Sequence, residues 1–457
     1  VKEDGSVIPD QDAILWEPGC TYLLTPFKIV NTGTLALKYK IVVTGLNGDS
    51  PLLDVIQFTY TTESGAQFDL NAEGHLAANG GATEMITISA HMDELAGNDY
   101  QGKELKNVKI TVYATQAPVE ADSIDNTYDE KATYPVVLAS DASAFNDGTT
   151  FINSFLQKDA HVILMDDVDL NQSITFPSAD TTLLLDLNGH TLTMGQFALR
   201  NSAKLEISDS VGTGKIYFTS QQGIQTFCEG ASVVLNGGTL YASSTYKIYS
   251  FSVEKFGSAV MLSHGTSFVM NGGKIVADNT RSDVPDGSMA VRMFGSNTTF
   301  VMNGGEIEKT VGTFAAIQAS GDGTTTGTTI EINGGSIKSN TVAIYHPQSG
   351  SFSVNGGYIE GTTAIYAKSG ILTFAGGTIH ATAAEASPYQ FDGNGCCATG
   401  DAVVIDACGY PGGSPVVTVT GGTYTVTAPG AHGFAHYMYN GNAADITNES
   451  GIEIFEQ

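Results

Sequence analysis

The stretch FVMNGGKI (Phe268–Ile275) returns almost letter for letter as FVMNGGEI (Phe300–Ile307), 32 positions further along the chain. The same turn, Asn-Gly-Gly or a close variant after an apolar stretch, occurs eight times. Measured at the turn asparagine or its substitute, successive copies are 48, 35, 32, 30, 22, 20 and 45 residues apart. The shortest steps indicate a minimal repeat of 20–22 residues with loops inserted into the longer ones, and 205–216 inside the first gap is a degenerate extra copy.

Each repeat has the pattern of three short strands. Apolar residues alternate before the turn, as in Phe268 and Met270, and the second residue after the turn is apolar again, as in Ile275. A third segment of small, aliphatic and variable residues follows, such as AVR at Ala290. Three strands joined by tight glycine turns predict the coil of a parallel β-helix, in which stacked coils bury like side chains on one another.

The turn residues have a structural interpretation. The glycine pair permits positive φ and a close approach between coils, because glycine has no Cβ. We expect the turn asparagines to stack as an amide ladder that links the coils: Asn188, Asn236, Asn271, Asn303, Asn333 and Asn355.

The first 120 residues lack this repeat. Apolar and β-branched runs at 20–31, 35–43, 52–62, 84–92 and 107–116, separated by turn signals, predict an antiparallel β-sandwich over residues 1–120. Residues 121–135 are acidic and predict a linker. Residues 136–457 are assigned to the β-helix, with an α-helical N-terminal cap at about 143–160 and coils at about 161–440. The predicted fold class is therefore all-β, with a sandwich followed by a right-handed parallel β-helix.

The composition limits the partners. The net charge is −28, from 48 acidic and 20 basic residues, so binding to nucleic acid or anionic lipid is not expected. No run of 18 apolar residues is present, which argues against membrane insertion. Five cysteines are too few for a disulfide scaffold, and free thiols are favoured. A bridge from Cys408 to Cys396 or Cys397 in an oxidising compartment stays open as an alternative.

The N-terminal region resembles the TasA/camelysin family of secreted β-sandwich proteins from Gram-positive bacteria. The resemblance rests on the W-x-P-G opening at Trp16, the run NTGTLALKY, and the close NDYQGK…ATQ. It implies a role in biofilm matrix and self-assembly, in which residues 1–11 serve as a strand donated to a neighbouring subunit. One branch is described as a metalloprotease, but this chain has no HExxH motif, so that activity is not carried over.

The stretch 161–194 is similar to the entry into pectate-lyase-like right-handed β-helices on large surface proteins of Firmicutes. This resemblance extends from about residue 136 to the end of the chain. It implies the fold and a helical cap, and it leaves the function open.

We expect no catalytic residues and no metal site. A lyase or hydrolase on this fold needs clustered carboxylates, and a lyase also needs a basic residue, yet the outward positions before the turn contain only Asp186 and Glu331 as acids. HGFAH (432–436) places two histidines four apart on a strand, where they do not converge. The acidic stretches DDVD (166–169) and MDE (92–94) could ligate Ca²⁺, but solvated loops are the favoured interpretation, and no cofactor is predicted.

One exposed row is a candidate for ligand binding. Aligned by repeat, Arg292, Gln318, Tyr345 and Tyr366 form a polar and aromatic ladder of about 15 Å at ~4.8 Å per coil, suited to sugars. The alternative is that tyrosine is simply favoured on exposed strands. His346 is interpreted as a turn residue.

These observations favour a non-enzymatic, secreted or cell-surface structural or adhesion protein of a Gram-positive bacterium. The expected partners are glycans, host or bacterial surface components, or further copies of the chain. Two alternatives stay open: a non-catalytic carbohydrate-binding protein, and a polysaccharide lyase or hydrolase built by inserted loops at 242–258, 278–288 and 383–400. Residues 441–457 contain no evident sorting signal, so cell-wall attachment is undecided.

Overall fold

The computed structural model of the chain describes residues 16–46, 50–70, 72–105, 108–117, 135–145, 160–170, 172–176, 180–200, 202–242, 257–278, 288–320, 325–393 and 395–457. The chain divides into two compact units, Val1–Val137 and Leu138–Gln457.

The N-terminal unit contains two three-stranded antiparallel sheets. In spatial order, the first consists of Thr21–Leu23, Ile86–Met92 and Ile56–Thr62, and the second of Gly74–Leu76, Leu37–Thr44 and Lys109–Gln116. Short 3-10 turns occur at Pro51–Asp54 and Asn98–Tyr100. Tyr39, Ile41 and Leu76 of the second sheet meet Ile86 of the first in one buried apolar cluster. Each of the five segments predicted as strands contains one strand, although the run at 20–31 is reduced to three residues.

The C-terminal unit contains three long sheets, and each complete coil contributes one strand to each sheet. The pre-turn sheet consists of Val137–Ala139, Ala160–Leu164, Thr182–Asp186, Lys204–Ser208, Ser232–Leu235, Ser267–Met270, Thr299–Met302, Thr329–Ile332, Ser351–Val354, Ile371–Phe374, Val416–Val419 and Asp445–Asn448. The post-turn sheet consists of Val168–Asp169, Thr191–Met194, Lys215–Phe218, Thr239–Tyr241, Lys274–Ala277, Glu306–Lys309, Ser336–Ser339, Tyr358–Gly361, Thr378–Ala381 and Thr423–Val426. The third sheet consists of Ile174–Thr175, Phe197–Leu199, Gln222–Thr226, Gly257–Leu262, Ser288–Phe294, Ile317–Ser320, Ile344–His346, Ile365–Ala367, Val403–Ala407, Phe434–Met438 and Phe455–Glu456.

Neighbouring coils are parallel and in register. Phe268 pairs with Phe300, and their rings stack with centroids 5.5 Å apart. In the post-turn sheet, one isoleucine per coil forms a continuous buried row: Ile275, Ile307, Ile337, Ile359 and Ile379. The all-β prediction is confirmed, and the order of the strands is the order expected of a parallel β-helix.

The predicted cap helix falls mostly outside the described residues. Of the stretch 143–160, the described part begins in a 3-10 turn at Ala142–Phe145 and ends at Ala160, which already belongs to a strand. Within the described ranges, no helix has the length and apolar character needed to cross a membrane.

The Asn-Gly-Gly turns need glycine because the backbones of successive coils lie very close together there. A Cβ on Gly304 would lie 2.7 Å from the carbonyl oxygen of Asn271 in the preceding coil. Gly305 has a φ of +85°, and a Cβ there would lie 2.6 Å from the Gly273 carbonyl oxygen. The first glycine is therefore required by close approach, and the second by both close approach and backbone conformation.

The turn asparagines are joined by hydrogen bonds along the coils. The Nδ2 of Asn303 donates to Oδ1 of Asn271 at 2.9 Å, and the Nδ2 of Asn333 donates to Oδ1 of Asn303 at 2.9 Å. The same bond links Asn271 to Asn236 and Asn355 to Asn333, so five asparagines form one ladder. At its first end, Asn236 donates to the Glu206 carboxylate at 2.7 Å.

Asn188 does not belong to this ladder, contrary to the prediction. The pairing of Asp186 with Ser208, and of Leu235 with Ile207, shows that the position equivalent to Asn236 in the earlier coil is Asp186. The corner that contains Asn188 is two residues longer, and its Nδ2 donates to the Leu164 carbonyl instead. A carboxylate replaces the amide here: Asp186 Oδ1 accepts the backbone N–H groups of Asn188 and Ser210 at 2.9 Å.

The geometry of the turns predicts that alanine lowers the free energy of unfolding by different amounts at different glycines. Gly304→Ala introduces a clash with the preceding coil and should lower the free energy of unfolding by about 2–3 kcal/mol. Gly430 has a φ of +83° and open space around its Cα, so Gly430→Ala should lower it by only about 1 kcal/mol. Urea unfolding followed by circular dichroism measures both, and equal losses would contradict close approach as the dominant constraint.

Candidate functional site

The four residues of the predicted ligand ladder are neighbours in the third sheet. Arg292 pairs with Gln318, Gln318 with Tyr345, and Tyr345 with Tyr366. They are not exposed, contrary to the expectation: Arg292 is 7 % accessible, Tyr345 4 % and Tyr366 0 %, and Gln318 is half-buried. In the same register, the equivalent positions of the earlier coils are occupied by Ala198, Gln225 and Met261.

A long insertion covers part of this row. The chain between the strands Thr378–Ala381 and Val403–Ala407 forms a loop of residues 382–402, called the covering loop below. Tyr389, Cys396 and Cys397 of the loop pack against a cluster that includes Tyr345 and Tyr366. The covering loop therefore forms a second layer over the third sheet, which buries Tyr345 and Tyr366.

A buried ion pair anchors the covering loop. Lys368 and Asp406 have fully buried side chains, with Nζ and Oδ2 3.8 Å apart. Lys368 also donates to the carbonyl oxygen of Asp392 in the loop. Asp406 accepts the hydroxyls of Tyr366 at 2.8 Å and of Tyr389 at 2.7 Å, so one carboxylate ties the loop to the sheet. Burial and the Asp406 carboxylate raise the pKa values of both tyrosines.

Aromatic stacks hold the same loop from the side. Tyr389 lies parallel to Tyr437 with ring centroids 4.5 Å apart, and Phe391 lies parallel to Tyr439 at 4.1 Å. Tyr437 belongs to the strand Phe434–Met438 and Tyr439 directly follows that strand, so both rings of the loop rest on one segment. These two stacks hold the loop against the third sheet.

A second buried carboxylate, on Asp401, forms hydrogen bonds with residues of the next coil. The Asp401 carboxylate accepts hydrogen bonds from the hydroxyl of Tyr437 at 2.7 Å and from the backbone N–H of His432 at 2.7 Å. The ring Nδ1 of His432 is a third donor, at 3.1 Å. The His432 ring stacks on Phe455 at 3.7 Å. His436 has different partners, since its Nε2 accepts the N–H of Ala444 at 3.0 Å, which leaves the proton on Nδ1, facing Glu456. The two histidines of HGFAH are thus tied to different partners.

The covering loop carries an open surface pocket of about 340 Å³. Its lining combines an amide, an aromatic ring, a carboxylate and two thiols: Gln390, Phe391, Asp392, Gly393, Cys396 and Cys397.

All five cysteines are free thiols in this structure, so the alternative bridge from Cys408 is absent. Burial raises the pKa of Cys396 to about 11, and burial with the Asp406 charge raises the pKa of Cys408 to about 11. Both side chains are therefore protonated at neutral pH and poorly suited to metal binding or nucleophilic chemistry.

The acidic stretches hold turns together. Asp167 Oδ1 accepts the N–H of Thr191 in the next coil at 2.7 Å, and Asp93 Oδ1 accepts the N–H of Leu95 at 2.8 Å. Within the described residues, no group of three or more His, Cys, Asp or Glu side chains could hold a metal ion. The central outward row before the turn contains Glu206 and Glu331, which are four coils apart in the register.

Sequence reasoning missed two buried polar residues. His346 ends a strand, points into the coil with 0 % exposure, and stacks on Phe352 at 5.5 Å; it is not a turn residue. Neither ring nitrogen has a hydrogen-bond partner among the described residues, and burial lowers the pKa of His346 to about 4. Lys309 is also buried, with Nζ 2.7 Å from Oδ1 of Asn340, and burial lowers its pKa to about 8.

Comparison with known proteins gives no match: no family model, no curated protein and no solved structure matches the chain. The two family resemblances stay predictions from the sequence.

The buried ion pair of Lys368 and Asp406 predicts that removing one of its charges strongly destabilises the protein. Asp406→Ala leaves the Lys368 ammonium buried without its counter-charge, and should lower the free energy of unfolding by about 3–5 kcal/mol. The double variant Lys368→Met with Asp406→Leu removes both charges and should recover most of this loss. Thermal unfolding and chymotrypsin cleavage at Tyr389 measure the effect, and a fully stable Asp406→Ala would contradict the anchor.

The burial of His346 should make the free energy of unfolding depend on pH. Because its folded-state pKa lies below the ordinary 6.5, the unfolded chain takes up a proton between pH 6.5 and 4 that the folded chain does not. The free energy of unfolding should therefore fall as the pH drops through this window, by about 3 kcal/mol at its lower end. His346→Phe should lose this share of the pH dependence, as measured by urea unfolding at pH 7 and 4.5. An unchanged pH dependence would contradict the assignment.

Proposed function

We propose that the chain is a non-catalytic structural or adhesion protein at a bacterial surface or in an extracellular matrix. In this proposal, the coils form a rod that presents a contact surface, and the N-terminal unit serves assembly or anchoring. The main support is the regular outer face of the pre-turn sheet. One hydroxyl side chain per coil is aligned there across five coils, at the strand ends opposite to the asparagine ladder: Ser232, Ser267, Thr299, Thr329 and Ser351.

For the N-terminal unit we propose a β-sandwich that assembles by strand addition. The shared cluster of Tyr39 and Ile86 supports packing of the two sheets face to face. Among the described residues, the strand Lys109–Gln116 pairs on one side only, with Leu37–Thr44. Ile110 and Val112 on this strand are 37 % and 38 % exposed. An eight-residue edge with exposed aliphatic side chains is a template for a strand from another chain.

The predicted donor strand, residues 1–11, lies outside the described residues. If it adds to a neighbouring edge, deleting residues 1–11 should raise the concentration needed for assembly at least tenfold. Val112→Lys should have a similar effect, because lysine on an edge strand opposes pairing. Leu95→Lys, at a loop residue 91 % exposed in the same unit, is the matched control.

Light scattering after size exclusion, together with negative-stain microscopy, measures the assembly. A full-length chain that stays monomeric at all concentrations would contradict self-assembly. Assembly that survives the deletion would contradict the donor role of residues 1–11.

Carbohydrate binding without catalysis is the second candidate function. The observation that favours it is the pocket in the covering loop, where an exposed aromatic ring lies beside polar side chains. A long loop without secondary structure that is nevertheless held by a buried ion pair is typical of a binding loop.

A further inference from the structure

The pocket in the covering loop has a rigid aromatic wall. One face of the Phe391 ring is covered by Tyr439 at 4.1 Å with an interplanar angle of 1°, and the residue stays 44 % exposed. The neighbouring Tyr389 is fixed by both its stack on Tyr437 and its hydrogen bond to Asp406. The Phe391 ring is therefore already in position, before binding, to contact the apolar face of a ligand.

Polar groups surround this ring. Gln390 contributes an amide, which can donate and accept, and Asp392 contributes a carboxylate. Gln390, Phe391 and Asp392 are all exposed, so a ligand in the pocket can contact all three side chains.

The charges argue against an anionic ligand. The ammonium group beside the pocket, on Lys368, is fully buried and paired with Asp406, so it is not available to an anion. The pocket itself carries a carboxylate, and the chain has a net charge of −28. An anionic ligand would be repelled.

The volume limits how much of a ligand the pocket can hold. About 340 Å³ lies near the lower limit of small-molecule pockets, which are typically ~300–1,000 Å³. A compact ring with one apolar face and a rim of hydroxyl groups matches both the wall and the polar groups.

We propose that this pocket binds one neutral pyranose unit of a glycan, with its C–H face on Phe391 and its hydroxyl groups directed at Gln390 and Asp392. The inference rests on the second proposed function, carbohydrate binding, and assigns its site and ligand class. It is independent of the scaffold role.

Saturation-transfer difference NMR on the full chain tests this assignment. The probes are D-glucose, D-galactose, D-mannose, N-acetylglucosamine and N-acetylgalactosamine, with D-glucuronate and choline as charged comparisons. At least one neutral sugar should bind the native chain. Phe391→Ala and Gln390→Ala, both at exposed loop positions, should weaken its binding at least tenfold and about threefold or more, respectively.

Tyr217→Ala is the matched control, because Tyr217 is 39 % exposed and stacks on Tyr241 in the post-turn sheet, outside the pocket. It should leave binding unchanged. If no neutral sugar binds the native chain, both the pocket assignment and the carbohydrate-binding function fail. If a sugar binds equally well to Phe391→Ala and Gln390→Ala, the pocket assignment alone fails. Preferential binding of glucuronate or choline would overturn the neutral ligand class.

Discussion

The C-terminal unit depends on how closely the corner backbone of one coil approaches the corner of the coil before it. At Gly304 and Gly305, carbonyl oxygens of the preceding coil occupy the space where a Cβ would stand. This contact fixes the separation and the register of the coils at one edge. With the register set there, the strands pair in parallel and the asparagine amides come within hydrogen-bond distance. Apolar side chains of the same kind then meet inside the coil.

The same constraint explains how the unit accepts insertions of very different length. The step from Ala375 to Thr420 spans 45 residues, whereas the step from Asn355 to Ala375 spans 20, yet both pairs of coils keep the same register. Most of the additional residues leave the coil after the post-turn strand and return at the third sheet. In the longer case they form the covering loop, which has its own anchor in Lys368 and Asp406. Function can therefore be carried by a loop while the coil underneath stays regular.

The sequence predicted the strands and their pairing well, because the alternation of Phe268 and Met270 and the turn after them are local signals. It did not predict the burial of Tyr345 and Tyr366, since burial there depends on a loop that is distant in sequence and has no periodic pattern. Aligning the repeats on Asn-Gly also misplaced Asn188, because the early corner is two residues longer than the later ones.

Successive coils are stacked in one register at a constant spacing. Spin labels at Lys204 and, in turn, at Ser351, Ile371 and Val416 test it directly by double electron–electron resonance, since all four positions are exposed in one outward row. The account predicts distances that rise in equal steps of ~4.8 Å, to roughly 24, 29 and 34 Å, regardless of the intervening sequence length. A disproportionately large step between Ile371 and Val416, where the 45-residue repeat intervenes, would contradict it.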